Sequence, residues 1–395
     1  MARPQRMTLF TGATGLIGRF LLRDVVLAGE NLCLLVRDSK KQSAAARVDD
    51  ILGAWELQLG RSLPHPKVVV GEVTESGFGM SSDDRQWVAS NCNAVLHNAA
   101  ILEFHGPDRT GEPWRTNLTG TENLLEVCRD LKLREMHYVS TAYVCGDRAG
   151  TIGEDEFDCK QGFRNDYEES KFLAERAVRD FGAFDALTVY RPAVVAGDAQ
   201  TGYTSTYHGL YLYLKLIAAV LRNVEPDADG VRRFRARWNC TGNEIRNIVP
   251  VDWVSEAMAR LFRDPAAVGK TFHLSPRNPI VLRDLVHYIG TYFNSEGVEF
   301  CGTEGLNTDD LTPIEKEGYA SIAIYQPYLT TDPRFDTANL DRHLPDLPCP
   351  DLSETMIHRF IRYGEEDRWG KRRGPTRIPR VDDVSIGGVE QPHSK

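Results

Sequence analysis

Tyr167 and Lys171 stand four residues apart in the run Y-E-E-S-K, a spacing that places both on one face of a helix. A phenol is a poor acid near neutrality. An ammonium held beside it favours the phenolate and lowers its pKa. Such a phenol can pass a proton to an oxygen while hydride arrives at the carbon that bears it. Taken alone, the pair reads equally well as two exposed side chains on a helix. Thr141 lies upstream, after the β-prone run Glu135–Val139. Its hydroxyl can donate to a substrate oxygen as negative charge builds there.

Hydride chemistry needs a carrier, and Met7–Leu22 has the residues to seat one. Thr8–Thr11 is apolar and β-prone, so it reads as a buried strand. Gly12, Gly15 and Gly18 follow, and then Phe20, Leu21, Leu22, Val25 and Val26 fall at helical spacing. Strand, glycine turn and helix in that order form the front of a dinucleotide-binding βαβ unit. Gly12 supplies the positive φ of the turn, Gly15 leaves room for a pyrophosphate, and Gly18 lets helix and strand approach. The unpaired N–H groups and dipole at the helix start favour negative charge. Thr11, Thr14, Leu16 and Ile17 belong to the same loop. The spacing G-x-x-G-x-x-G is one residue longer than that of ordinary Rossmann dehydrogenases.

Arg37 ends the second expected strand, Asn31–Val36. An NAD-specific enzyme is expected to place an acidic residue near here, on the ribose 2′-hydroxyl. A guanidinium instead pairs with a 2′-phosphate. Lys40, Lys41 and Arg47 add positive charge nearby, while Asp38 subtracts some. The segment therefore points to NADP(H) in preference to NAD, against the alternative of a solvated basic loop.

The elements that must position these groups alternate along the first half of the chain. Ala44–Leu59 is helical by pattern, and Lys67–Val73 reads as a third strand with Glu72 and Val73 at the adenine edge. Cys92–Asn98 is a fourth strand, ending in Asn98, Ala99 and Ala100, which are small enough for a cofactor to lie against the backbone. Trp114–Arg129 is a helix carrying Asn117, and Glu135–Val139 is a fifth strand ending in Ser140 and Thr141. The rhythm continues through Ala186–Tyr190 and predicts an α/β, Rossmann-type doubly wound parallel sheet. Ligands of such sheets sit beyond the carboxyl ends of the strands, where Thr11, Arg37, Asn98 and Thr141 all fall.

From about Gly197 the alternation breaks, and a smaller mixed substrate-binding region is expected. Residues 1–200 are assigned to the cofactor domain, with a returning strand and helix around 245–275. Residues 201–370 are assigned to the substrate region, and 371–395 to a flexible tail rich in Arg, Gly and Pro. Leu210–Leu221 is an apolar helix, Asn223–Arg246 reads as polar and irregular, and Leu282–Phe293 and Glu354–Gly364 are further helices.

Composition bounds the rest. The formal net charge of -9 over 395 residues argues against nucleic acid as the main partner. The 8 cysteines are scattered without a C-x-x-C pair, the usage of reduced thiols in a cytoplasmic protein. Neither H-E-x-x-H nor clustered Cys and His ligands appear, so no metal is expected. The opening MARPQRM runs straight into the first strand, which leaves no room for a signal peptide. The apolar run Leu210–Leu221 is interrupted by Lys215 and is too short to span a bilayer.

T-G-A-T-G-L-I-G at 11–18, H-N-A-A at 97–100, S-T-A-Y-V at 140–144, Y-x-x-x-K at 167–171 and Y-R-P at 190–192 together resemble the extended short-chain dehydrogenase/reductases. L-L-V-R at 34–37, A-x-x-R-V at 44–48, V-V-A-G-D-A-Q-T-G at 194–202, I-V-P-V-D-W-V at 248–254 and T-F-H-L-S at 271–275 narrow this to the thioester reductase branch. That branch holds the terminal reductase domains of nonribosomal peptide and polyketide synthases, the reductase domains of carboxylic acid reductases, and the fatty acyl-CoA reductases. The resemblance covers about residues 7–290. It implies that Thr141, Tyr167 and Lys171 form the catalytic triad. It implies NADP(H) contacts at the glycine loop, Arg37, Asn117, Pro192 and Val194. Glu72 departs from the family's usual Asp.

The reaction implied is reduction of an acyl thioester to an aldehyde, and possibly on to an alcohol, with Tyr167 as proton donor. No adenylation or carrier domain is recognisable, so the thioester is expected on a separate carrier protein or on coenzyme A. Arg232, Arg233, Arg235, Arg237 and Arg246 are a candidate docking patch for those acidic partners. The competing reading is a solvated loop balanced by Asp227, Asp229 and Glu244. Tyr203, Tyr207, Tyr211 and Tyr213 are candidates for an acyl channel or for plain core. Two other functions stay open: a different enzyme on this fold, such as a ketone or steroid reductase or a nucleotide-sugar epimerase or dehydratase, and a non-catalytic dinucleotide sensor. Acyl group, oligomeric state and final oxidation level are not encoded in these motifs.

Overall fold

Alternate residues of the central strands are apolar on both sides, and that pattern decides the layering. Leu9, Cys33, Val95, Tyr138 and Val189 pack into one buried cluster, and their chain neighbours Phe10, Leu34, Leu96, Val139 and Tyr190 into another. A sheet with two apolar faces must be covered on both. The computed structural model, which describes residues 7–302, 306–328, 332–372 and 378–380, shows that arrangement. Seven parallel strands lie in the spatial order Thr271–Leu274, Ala186–Pro192, Glu135–Val139, Cys92–His97, Met7–Thr11, Asn31–Val36 and Lys67–Val70. The chain reverses its direction of travel between Met7–Thr11 and Cys92–His97, which makes their carboxyl ends the switch point where ligands bind.

The helices start where capping residues allow. Ser43 caps Ala44–Leu59 by accepting from Ala46 N–H. Asn165 caps Asp166–Asp180 by accepting from Glu168 N–H, with Asp166, Glu168 and Glu169 in its first turn and their charge facing the helix dipole. The third strand stops at Val70, short of the Val73 expected. Gly71 N–H still bonds Val36, but Glu72 N–H turns away to Phe78. The expected helix at Trp114–Arg129 is two pieces, a π-turn at Arg115–Thr119 and an α-helix at Gly120–Leu131.

A third apolar cluster gathers the helices Leu210–Leu221, Leu282–Phe293 and Glu354–Glu366. One expectation fails in this half. Asn223–Arg246 is not irregular throughout: Arg232–Trp238 is a strand paired in parallel with Ser295–Phe300. Within the stretch 371–395, expected as a flexible tail, Ile378 is buried and Pro379 O accepts from Gln58 Nε2 at 3.0 Å. The rest of that stretch from 373 onward lies outside the described residues. Among the eight thiols Cys159 is exposed, whereas Cys33, Cys92, Cys128, Cys145 and Cys240 are buried.

Candidate active site

The three glycines do different work. A Cβ on Gly12 would meet Ala99 N at 2.5 Å, and one on Gly18 would meet Gly12 O at 2.0 Å. Both are demanded by the protein's own packing, and Gly12 also sits at φ +79°. A Cβ on Gly15 would touch only Gly12 O, at 3.5 Å. Its bare backbone opens instead on a cavity of about 950 Å³. Gly15 is also the N-cap of Leu16–Leu27, with no side chain capping the free N–H groups. A cradle of backbone donors that the protein leaves clear fits a dinucleotide pyrophosphate.

Of the residues singled out from sequence, Thr14, Gly15, Leu16, Ile17, Asn98 and Ala100 line this cavity at the loop end. Thr141, Tyr167, Lys171, Pro192 and Val194 line it further in. Thr11, Gly12, Gly18 and Ala99 form the layer beneath, where Thr11 Oγ1 meets His97 Nδ1 at 2.8 Å. Arg37, Glu72, Val73 and Asn117 do not line it. Arg37 is exposed and donates to Glu72 Oε2 at 2.8 Å, so the acidic residue expected at the adenine edge instead faces the guanidinium. Val73 O accepts from Asn123 Nδ2 at 2.9 Å. Asn117 is wholly buried, bonding Ile101 N–H and C=O and Ser170 Oγ. Its amide ties two segments of the site together.

Thr141, Tyr167 and Lys171 converge. Thr141 sits just past the strand Glu135–Val139, its Oγ1 donating to Pro192 O at 3.4 Å. Lys171 is buried and donates from Nζ to Val139 O at 2.9 Å. Burial pulls its pKa down to about 8, with Glu175 acting the other way. Tyr167 departs from expectation. Burial pushes its phenol up to about 12, and the force in the other direction is a hydrogen bond with Thr141 rather than the Lys171 charge. The ammonium is turned to the Val139 carbonyl and the Tyr138 hydroxyl. Tyr167 is thus held protonated at neutral pH.

Several residues at or near the site were given no catalytic or binding role from the sequence. Arg19 lines the cavity, donating to Thr14 O at 3.0 Å and to Tyr203 OH at 3.3 Å. Arg47, noted as nearby charge and as the arginine of A-x-x-R-V, reaches Thr14 Oγ1 at 3.2 Å and Arg37 O at 2.7 Å. Burial lowers its pKa, followed by repulsion from Arg37 and Arg19. Phe104, Tyr143 and Tyr328 form an aromatic wall beside Tyr167. Tyr143 donates to Asp332 Oδ1 at 3.1 Å, and Tyr328 to the buried Glu168 at 2.6 Å. Asn165 Nδ2 also donates to Tyr328 OH, at 2.7 Å. The cap of the helix bearing Tyr167 is therefore tied to the C-terminal third of the chain.

Two features that the sequence leaves open between alternatives divide in the structure. Tyr211 and Tyr213 line the cavity, but Tyr203 and Tyr207 do not. Tyr203 packs on Phe20 and Trp55, and Tyr207 bonds Asp367 at 2.5 Å. The central arginines of the candidate patch are ion-paired. Arg233 pairs with Asp227 at 2.7 Å and also with Glu296, Arg235 with Glu299 at 3.5 Å, and Arg237 with Glu315 at 2.8 Å. The pairing follows from the strand, since its partner Ser295–Phe300 brings two of the glutamates alongside.

Comparison with known proteins agrees with this architecture. The profile of the family described as male sterility protein, an NAD-binding group, matches residues 10–258, more than half of the chain. A linear gramicidin synthase from Brevibacillus parabrevis is 27% identical over 385 residues, which is 90% of this chain and 7% of that protein. The large chain of the L-2-aminoadipate reductase from Candida glabrata is 24% identical over 319 residues, 74% of this chain and 22% of that protein. The chain thus spans only a small part of either relative. In three dimensions it superposes on the terminal R domain from the myxalamid PKS-NRPS biosynthetic pathway with a TM-score of 0.71, at 22% identity, covering 93% of this chain and 92% of that one. This likeness shows a shared fold.

Proposed function

The chain belongs to the male sterility protein family, and on that premise we propose that it is an NADPH-dependent reductase of acyl thioesters, presented on a carrier protein or on coenzyme A. The observation that carries the proposal is that Gly15, Thr141, Tyr167 and Lys171 open on one cavity that continues into an apolar chamber. The reductase named among its relatives supports the same class of reaction. When bound, the nicotinamide supplies the hydride.

The chain's own groups do the rest. The N–H groups at the start of Leu16–Leu27 and the clear backbone of Gly15 bind the pyrophosphate. Arg47 and Arg37, close enough to repel one another, bind the 2′-phosphate and set the preference for NADPH. Pro192 and Val194 border the nicotinamide end, and Lys171 hydrogen-bonds the ribose. Thr141 donates to the thioester oxygen as it gains charge, and Tyr167 gives that oxygen a proton. Thiol then leaves and an aldehyde remains.

The test is NADPH oxidation, followed by absorbance, over a panel of acyl-coenzyme A and acyl-carrier thioesters, with products identified by mass spectrometry. Aldehyde or alcohol formed in step with NADPH loss supports the proposal. Oxidation of NADPH by ketones or sugar nucleotides alone would replace it with another reductase of this fold.

A further inference from the structure

Beyond Tyr167 the cavity widens between two helices and a strand. Leu216 and Ile217 of Leu210–Leu221, Leu285 and Ile289 of Leu282–Phe293, and Phe234 and Trp238 of Arg232–Trp238 form its walls. The strand explains the chemistry of its wall. Side chains alternate across a strand, so Arg233 and Arg235 stand in solvent while Phe234 and Trp238 turn to the chamber. Gly297 lets the partner strand close up, because a Cβ there would overlap Phe234 O.

Charged groups do reach this lining, and the arginines, the lysine and the inner carboxylates among them have partners in place. Arg237 is forked onto Glu315, with contacts of 2.9 and 2.8 Å. Asp332 accepts from Tyr143 OH and from Asn247 N–H at 3.0 Å. Glu296 holds Arg233. Arg246 donates to Ile245 O at 2.6 Å. Glu103 and His208 are exposed at the edge. Arg19 and Lys171 stand at the cofactor end, bonded to Thr14 O and Val139 O.

Building on the thioester-reductase proposal, we infer that this chamber takes an uncharged apolar acyl group of medium length, alkyl or aryl, and excludes acyl groups ending in a charge. A carboxylate entering it would lose water and find the arginines of the wall already hydrogen-bonded. Each methylene that the walls cover adds roughly fourfold to affinity. The relative named for L-2-aminoadipate acts, by that name, on a group of the opposite character.

Binding and turnover are read separately. Calorimetry on the full chain measures pantetheine amides, which carry nitrogen where the thioester has sulfur and cannot be reduced in the same way. The octanoyl amide is expected to bind at least tenfold tighter than the acetyl amide, and the hexanoyl at least tenfold tighter than the adipoyl. Ile289→Trp should erase the octanoyl advantage, with Ile217→Phe as the second variant if the first does not fold. Equal binding across the series, or tighter binding of adipoyl, overturns the inference. NADPH oxidation with the matching thioesters is the other arm. Its failure with every thioester would remove the reductase proposal, while the order of amide affinities would still decide what the chamber accepts.

Discussion

Asn117 and Ser170 are hydrogen-bonded, Nδ2 to Oγ, at 3.1 Å. The bond joins the π-turn Arg115–Thr119 to the helix that carries Tyr167 and Lys171. The same amide closes a two-way pair with the backbone of Ile101, at 2.9 and 3.1 Å, and Ile101 lines the cavity. One side chain thus sets the distance between two walls of the site. π-Turns inside helices are frequent where a functional side chain must be re-aimed.

Asn117→Ala removes these three bonds without touching the cofactor cradle. Its expected effect is a fall in kcat of about 100-fold, the size of loss that follows a small misplacement of reacting groups. NADPH affinity should be unchanged. Stopped-flow reduction and fluorescence titration of NADPH separate the two. A loss of cofactor affinity equal to the loss of kcat would mean that Asn117 holds the cofactor rather than the walls.

Tyr167→Phe leaves the ring and its neighbour Phe104, 6.3 Å away between centroids, and deletes the proposed proton donor. Turnover should fall by about 100-fold to 10,000-fold, the range of general acid catalysis. NADPH should bind as before. A variant that turns over normally would show that the substrate oxygen takes its proton from another group.

The cofactor half of this architecture was legible in the sequence, because its signals are local. Gly12, Gly15 and Gly18 fall within residues 12–18, and Leu9 and Phe10 declare a strand buried on both faces. The substrate half was legible only in pieces. Phe104, Tyr328 and Asp332 meet the site through contacts between segments far apart in sequence, and no spacing rule reports such contacts. The arginine segment was legible and misread. Arg233, Phe234, Arg235, Ala236, Arg237 and Trp238 alternate with the period of a strand. Counting charge hid that period, and the partner glutamates at Glu296 and Glu299 are remote in sequence. Tyr167 and Lys171 were legible as a pair on one face. The direction of the tyrosine shift was not, because burial outweighs the charge that spacing alone brings near.

Arg47→Ala tests the phosphate assignment. Arg47 is held by Thr14 Oγ1 and Arg37 O, so its guanidinium is placed whether or not a ligand is present. Charge-assisted bonds of this kind are worth about 1.5–3 kcal/mol. The variant should bind NADPH about 10-fold to 100-fold more weakly and NADH almost as well as the parent. Equal weakening of both would move the 2′-phosphate away from Arg47.

Lys171 gives the site a pH signature. Its pKa lies at about 8, brought down by burial, so the ammonium is present below pH 8 and lost above it. If the charge steadies the bound ribose, kcat/KM for reduction should fall as pH rises through about 8, since that ratio reports groups of the free enzyme. Tyr167, at about 12, stays protonated over the same range and adds no limb. Stability moves the other way. The unfolded lysine titrates near its ordinary 10.5, so between pH 8 and that value the unfolded chain binds more protons and stability rises with pH. A flat rate profile from pH 7 to 9 would remove the Lys171 charge from the reaction.

Gly15→Ala and Gly18→Ala should part company. Gly18 faces Gly12 O at 2.0 Å from a virtual Cβ, a backbone clash that only a shift of strand or helix can relieve, so this variant should lose several degrees of Tm or fail to fold. Gly15 has φ -76° and ψ 176°, a conformation open to alanine, and its virtual Cβ meets nothing closer than 3.5 Å. Its thermal stability should stay within about 0.5 kcal/mol of the parent, the usual range for a substitution that disturbs no packing. The methyl would instead occupy the space beside the free N–H groups of Leu16–Leu27, where a pyrophosphate must come against backbone. NADPH affinity measured by fluorescence titration should therefore fall by at least 10-fold in a protein that melts normally. Unchanged affinity would mean that the phosphates lie elsewhere than over Gly15.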